Sequence, residues 1–268
     1  MLRIWQRTEK RKIEPMEMGT AFPFLREKSH VVSMIGGGGK TTLLYEMAGF
    51  AVRNGQNVLV TTSTHIYCPP KEWRDVSLAD VKRKFEAGRA AIIGSDCQDP
   101  EKLSMPEEKL FQAAKKLADL TMIEADGAKH LPCKAPAEHE PALLSCSDIV
   151  VGVTGLSALG QPLQKVCFRA ERAAELLGCS MEHRISAADL VQLIAAKAGQ
   201  QKNLQDRAFY AVLHQYEEKE HRKAALEIAE HLQEQGIGHV LFTCAGESRS
   251  NENGTEYPWH GRAELPMR

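Results

Sequence analysis

Seven consecutive residues, GGGGKTT at 36–42, carry the most specific chemistry in the chain. Glycine lets backbone N–H groups turn inward around phosphate oxygens with no Cβ in the way. Lys40 supplies a charge that reaches β- and γ-phosphates, and the Thr41 hydroxyl is a ligand for Mg²⁺. A helix opening at Lys40 would add unpaired N–H donors and a partial positive charge. Gly36, Gly37, Gly38, Gly39, Lys40, Thr41 and Thr42 are therefore read as a cradle for the phosphates of ATP or GTP with Mg²⁺. The strict pattern, Gly-x-x-x-x-Gly-Lys-Ser/Thr, asks for glycine where Met34 stands. That change lies at the strand exit and leaves the cradle whole. A ligand-free glycine turn is the plainer alternative, but four glycines cost backbone entropy that a purely structural turn rarely needs.

A phosphate site of this kind needs a carboxylate on a neighbouring strand, to hold Mg²⁺ or orient an attacking water. The stretch MIEADGAK at 122–129 offers Glu124 and Asp126 as catalytic and metal-binding candidates, with Gly127 allowing a tight turn beside them. Two apart in a strict strand, both would face one side; which of them meets the metal stays open. Beyond them runs a polar loop stiffened by three prolines, AKHLPCKAPAEHEP at 128–141. There Lys129 and Lys134 belong to a loop that receives an acidic substrate, acts as a switch or is a plain surface connection. The run TTSTHIYCPP at 61–70 places Thr62 and Thr64 where a second strand would end on the ligand side, as candidates to hold Mg²⁺ or phosphate through their hydroxyls. His65 and Cys68 follow, and Cys68 reads more simply as a non-ligand.

These residues need strands to carry them and helices to cover the strands. HVVSMI (30–35), NVLVTTST (57–64), AAIIG (90–94), LTMIEADG (120–127), DIVVGVTG (148–155), AFYAVLH (208–214) and HVLFTC (239–244) are short apolar runs of buried-strand type. Helices are expected over 41–55, 77–88, 106–118, 170–177, 186–198 and 217–235, with Ser77 as a cap and proline and acidic residues opening the third. Alternation of this kind predicts an α/β fold, a mostly parallel sheet with helices on both faces. The expected organisation is a mobile N-terminal tail over 1–20, a single domain over 21–246 and a loose C-terminal tail over 247–268.

The 268 residues carry a formal net charge of −1, and 43% of them are hydrophobic. The balance argues against a nucleic-acid or membrane-surface binder, and no apolar run approaches the roughly 20 residues of a membrane span. The seven cysteines form no C-x-x-C pair, which suits reduced thiols in the cytoplasm and disfavours zinc.

The order GGGGKTT, TTSTHIYCP, IEADGAKHLPCKAPAEHEP, VGVTGLSALG resembles the YqeC family, accessory proteins of selenium-dependent molybdenum hydroxylases, over roughly residues 25–245. The block from Glu124 to Pro141 is its most specific part. The resemblance implies a P-loop NTPase fold and an NTP-driven step in the maturation of a labile selenium or molybdenum centre. A selenium-dependent molybdenum hydroxylase or its cofactor would be the partner. Family positions fall on Gly36 to Thr42, on Thr61 to His65, and on Glu124, Asp126, Gly127 and Lys129. Phe168 stands where the family carries histidine, with Arg169 and Glu171 retained. His214 stands where a family asparagine is akin to a guanine reader, so GTP does not follow. GGGGKTT also fits the GGxGKTT end of loops in the dimeric P-loop class, with Ile35 in place of their lysine, and a homodimer is the corresponding analogy. Three functional readings follow: an NTPase accessory factor, a small-molecule kinase or ligase of the same class, and a nucleotide-binding scaffold without turnover.

Overall fold

The computed structural model describes residues 2–67, 69 and 73–245. The chain opens with β1 (Arg3–Arg7) and β2 (Ile13–Pro15), a short helix α1 (Met18–Ala21), and then β3 (His30–Gly36) leading into α2 (Lys40–Arg53). There follow β4 (Val58–Thr62), β5 (His65–Tyr67), α3 (Leu78–Glu86), β6 (Ala91–Ile92), β7 (Ser95–Asp96), β8 (Lys102–Ser104), α4 (Glu108–Leu117) and β9 (Leu120–Glu124). The second half contains β10 (Cys133–Lys134), β11 (Ile149–Gly155), α5 (Leu163–Val166), β12 (Cys167–Phe168), α6 (Ala170–Leu177), α7 (Ala187–Ala195), β13 (Ala208–His214), α8 (Glu218–Glu234) and β14 (His239–Cys244).

Nine strands form one sheet in the order β2-β1-β14-β13-β11-β3-β9-β4-β6. From β14 to β6 every pairing is parallel, while β1 and β2 add an antiparallel edge against β14. Residues 1–20, expected as a mobile tail, thus supply two strands, because Ile4 and Ile13 are buried against the sheet and its helices. The central parallel strands are almost wholly buried and rich in Val, Ile, Leu and Met, as coverage on both faces demands. On one face α2 presses Leu43, Leu44, Met47, Ala48 and Ala51 onto Val32, Met34, Val60 and Met122. On the other, α7 and α8 cover β13 and β14, and α3 with α4 covers Leu59 and Ile123. Ser77 caps α3 in a reciprocal box with Asp80.

The topology positions the site. The chain leaves β3 through α2 toward β4, and leaves β11 toward β13 on the opposite side. Open α/β sheets bind ligands in the crevice such a switch creates, at the carboxyl ends of the strands. At the opposite end, Asp148 fastens the register. Its Oδ1 accepts from Val31 N at 2.7 Å, and its backbone exchanges hydrogen bonds with Val31 and Ala208. Two further sheets are small: β5-β8-β7 beside β4, and the parallel pair β10-β12 beyond β11. Among the described residues no helix is long and apolar enough to cross a membrane. The 247–268 segment lies outside the described residues.

His30 lies 2.5 Å from Asp148 and 3.0 Å from Glu27. Burial pulls its imidazole down, but hydrogen bonds and charge from the two carboxylates outweigh that and hold its pKa above the usual 6.5. The stability this contributes is complete below the unfolded value and is lost as pH rises through the folded one. The gap in denaturant midpoint between wild type and His30→Gln should therefore be wider at about pH 6 than at about pH 9. An equal gap at both pH values would remove this contribution.

Candidate functional site

The amides of the glycine loop after β3 and of the helix that follows it divide into two groups. Gly36 N donates to Asp126 Oδ2 at 2.9 Å, Gly37 N to Val153 O at 2.9 Å and Gly38 N to Leu131 O at 2.9 Å. These bonds dock the loop on its neighbours. The amides of Lys40, Thr41 and Thr42 begin α2, where no earlier helical turn accepts from them. Gly36 and Gly39 have positive φ, +94° and +120°. A Cβ would overlap Val153 O at Gly36, and the His214 ring at Gly39.

The structure separates the two carboxylates that the sequence leaves equivalent. β9 ends at Glu124, so Asp126 does not continue its alternation. Glu124 Oε2 accepts from the Thr41 hydroxyl at 2.9 Å. Burial pushes the Glu124 carboxyl up, against the pull of Lys40 and the Thr41 hydrogen bond. Asp126 lies underneath the loop, 2% exposed. Its Oδ2 meets Lys134 Nζ at 3.1 Å, and its Oδ1 faces Lys40 Nζ at 3.2 Å without an aligned hydrogen bond. Lys40 Nζ also donates to Gly36 O at 2.6 Å.

Lys134, read as a loop lysine, is 3% exposed and continues the chain of charge. It donates to Gly127 O at 2.7 Å and to Glu140 Oε2 at 2.8 Å. Arg169 grips both oxygens of Glu140, at 2.6 and 3.0 Å. Burial opposes ionisation of Glu140, yet Lys134, the Ala137 amide and Arg169 hold its pKa below the usual range. Five groups thus alternate in sign, Lys40, Asp126, Lys134, Glu140 and Arg169.

Thr62 and Thr64 divide as well. The Thr62 hydroxyl donates to Glu124 O at 2.8 Å and accepts from Thr64 N at 3.0 Å, so it positions the strand end. Thr64 Oγ1 is buried with no hydrogen-bond partner among the described residues, and Thr64 lines the main cavity. That cavity measures about 1270 Å³. Gly38, Gly39, Lys40, Thr41, Thr42 and Glu124 line its floor; Gly36 and Gly37 do not reach it. One wall carries Lys129, Phe168 and Arg169, and the other carries His65 and the β7–β8 hairpin. Cys68 lies outside the described residues. His214 is not in the lining. It supports Gly39 from below, bonded to Thr243 Oγ1 at 2.8 Å, and burial pushes its pKa down to about 4.

The model of the family described as YqeC protein matches residues 32–171, the span from β3 to the start of α6. The chain is also 31% identical over 187 residues to a protein of Escherichia coli (strain K12) described as "Uncharacterized protein YqeC". That alignment covers 67% of this chain and 73% of the relative.

The chain belongs to the YqeC family.

No solved structure matches. The family span takes in the glycine loop, both carboxylates, Lys134, Glu140 and Arg169, and so the whole buried charge chain of this YqeC-family protein. Sequence reasoning missed Glu140 and the support role of His214. The two acidic residues of AEHEP offered a signal for the first, and nothing local signals the second.

Removing one partner from a buried ion network leaves the others uncompensated. Asp126→Asn should cost about 3–5 kcal/mol in denaturant unfolding. Glu124→Gln should cost far less, because the Glu124 carboxyl is already pushed toward its neutral form by burial. Equal losses would mean that Asp126 is not the structural member of the pair.

Proposed function

We propose that this protein binds a nucleoside triphosphate with Mg²⁺ at the α2 N-terminus and cleaves its terminal phosphoanhydride. The observation that carries the reading is the Thr41–Glu124 hydrogen bond beside Lys40, where strand, glycine loop and helix meet. It supports a P-loop NTPase-like assignment of the fold. The residues fit the metal: a hydroxyl and a carboxylate 2.9 Å apart, with Thr64, whose hydroxyl has no partner among the described residues, lining the same cavity, make an all-oxygen donor set of the kind Mg²⁺ takes. Mg²⁺, when bound, would neutralise phosphate oxygens and fix their orientation.

Lys40 exchanges Gly36 O and Asp126 for phosphate oxygens. The Lys40–Thr42 amides hold the same group through the helix end. Asp126 is left with Lys134 and the Gly36 amide, and so keeps the loop docked while Lys40 works. Glu124 orients the attacking oxygen, and its raised pKa suits it to hold a proton during transfer. In this account the accessory role in maturing selenium-dependent molybdenum hydroxylases is inherited from the family resemblance, and hydrolysis would drive it. One observation favours a second reading, phosphoryl transfer to a second substrate in place of water. The cavity exceeds the roughly 300–1,000 Å³ of most small-molecule sites.

Release of inorganic phosphate from Mg-ATP and Mg-GTP tests the reading. Glu124→Gln should lower kcat by on the order of a hundredfold, while metal-free nucleotide affinity changes little. Thr64→Val should lower turnover with the fold intact, whereas Thr62→Val should act first on stability. Turnover of Glu124→Gln at the wild-type rate would remove Glu124 from the chemistry.

A further inference from the structure

The buried charge chain has an odd number of members. Lys40, Asp126, Lys134, Glu140 and Arg169 alternate, so a cation stands at each end. Both ends line the same cavity. The Lys40 end lies at the phosphate loop. The Arg169 end lies on the wall at β12, against the ring of Phe168. Three cations surround that ring: Arg169 at 4.4 Å from its centroid, and Lys129 and Lys134 each at 5.5 Å. Of the two carboxylates within reach, Asp126 is shared with Lys40, and Glu140 is shared by Lys134 and Arg169. Among the described residues Lys129 pairs with no carboxylate, and its ammonium is seated on the ring at the cavity side. Cations packed this closely on a partly buried ring repel one another unless an anion joins them.

The backbone at this wall is held in an uncommon form. Lys129 and His130 are consecutive non-glycine residues at φ 47° and 62°, and Arg169 has φ 61°. Each such position costs free energy that the surroundings must offset, a cost found mostly where side chains are aimed for function. The Leu131 carbonyl that follows accepts from Gly38 N, so the cationic wall is tied to the phosphate loop itself. The volume of about 1270 Å³ leaves room beyond the loop on this side.

We infer that the Lys129–Phe168–Arg169 wall is a subsite for a second small-molecule oxyanion, bearing a phosphate or a carboxylate, beside the nucleotide. The inference rests on the nucleotide reading and narrows it. The second substrate of a phosphoryl-transfer reaction here would be acidic. Arg169 presents a planar fork suited to such groups, and Lys129 adds a point charge.

The test loads the wild-type protein with Mg²⁺ and a non-hydrolysable triphosphate, so that the γ-phosphate position is filled. Inorganic phosphate and succinate are then titrated separately by calorimetry. The expected result is saturable binding of at least one of them at millimolar concentration, weakened about tenfold or more by Lys129→Ala and by Arg169→Ala. Affinity for the triphosphate should be little changed in Lys129→Ala. Which probe binds tells phosphate from carboxylate recognition. The inference is overturned if neither anion binds the loaded protein, or if Lys129→Ala weakens the triphosphate instead, which would make the wall part of the nucleotide site. Should no triphosphate bind, the nucleotide reading fails by itself. Phosphate is then titrated into the protein alone, where loss on Lys129→Ala but not on Lys40→Ala upholds the subsite, and any other pattern removes it. Lys129 is exposed, so its replacement leaves folding intact.

Discussion

Asp126 is an ionisable group almost sealed from water, and the architecture around the loop follows from that placement. A buried carboxylate needs compensating charge and hydrogen bonds. Here Lys40 comes from the start of α2, Lys134 from β10, and an amide from the last residue of β3. Three separate segments are thereby drawn to one point at the carboxyl end of the central strands. The glycine loop has little freedom left. Its first amides are committed to Asp126, Val153 and Leu131.

The same constraint gives the site its division of labour. Asp126 fixes position and Glu124 meets the cavity. Two residues apart, they differ because β9 ends between them. Thr62 and Thr64 also differ, one strand over: the first is tied into the Glu124 backbone, and the second has a hydroxyl without a partner among the described residues. His214 belongs to the supporting class. Pressed against Gly39 and kept neutral by burial, it stabilises the loop from underneath.

Much of this was legible before any coordinates. β13, β14 and α6 coincide with the expected 208–214, 239–244 and 170–177, because apolar runs bounded by turn residues leave few alternatives. The glycine loop also lies at the predicted strand-to-helix junction. What escaped was set by partners distant in sequence. RIWQR shows no strong alternation, yet it pairs with β14 more than two hundred residues away. The two-residue strands β10 and β12 are too short for any period, and their pairing of Cys133 with Cys167 is what brings Lys134 and Phe168 together. Burial of Lys134 was illegible for the same reason: a lysine in a proline-rich loop reads as solvated until Glu140 and Asp126 are seen around it.

The measurement closest to the central claim is titration calorimetry of Mg-ATP and Mg-GTP into wild type and Lys40→Ala. The account predicts saturable binding of at least one nucleotide by the wild type. It also predicts a loss of about tenfold to a hundredfold on removing the charge-assisted contacts of Lys40. Binding of neither nucleotide at millimolar concentration, or equal binding by the variant, would contradict it and leave the glycine loop as a purely structural turn.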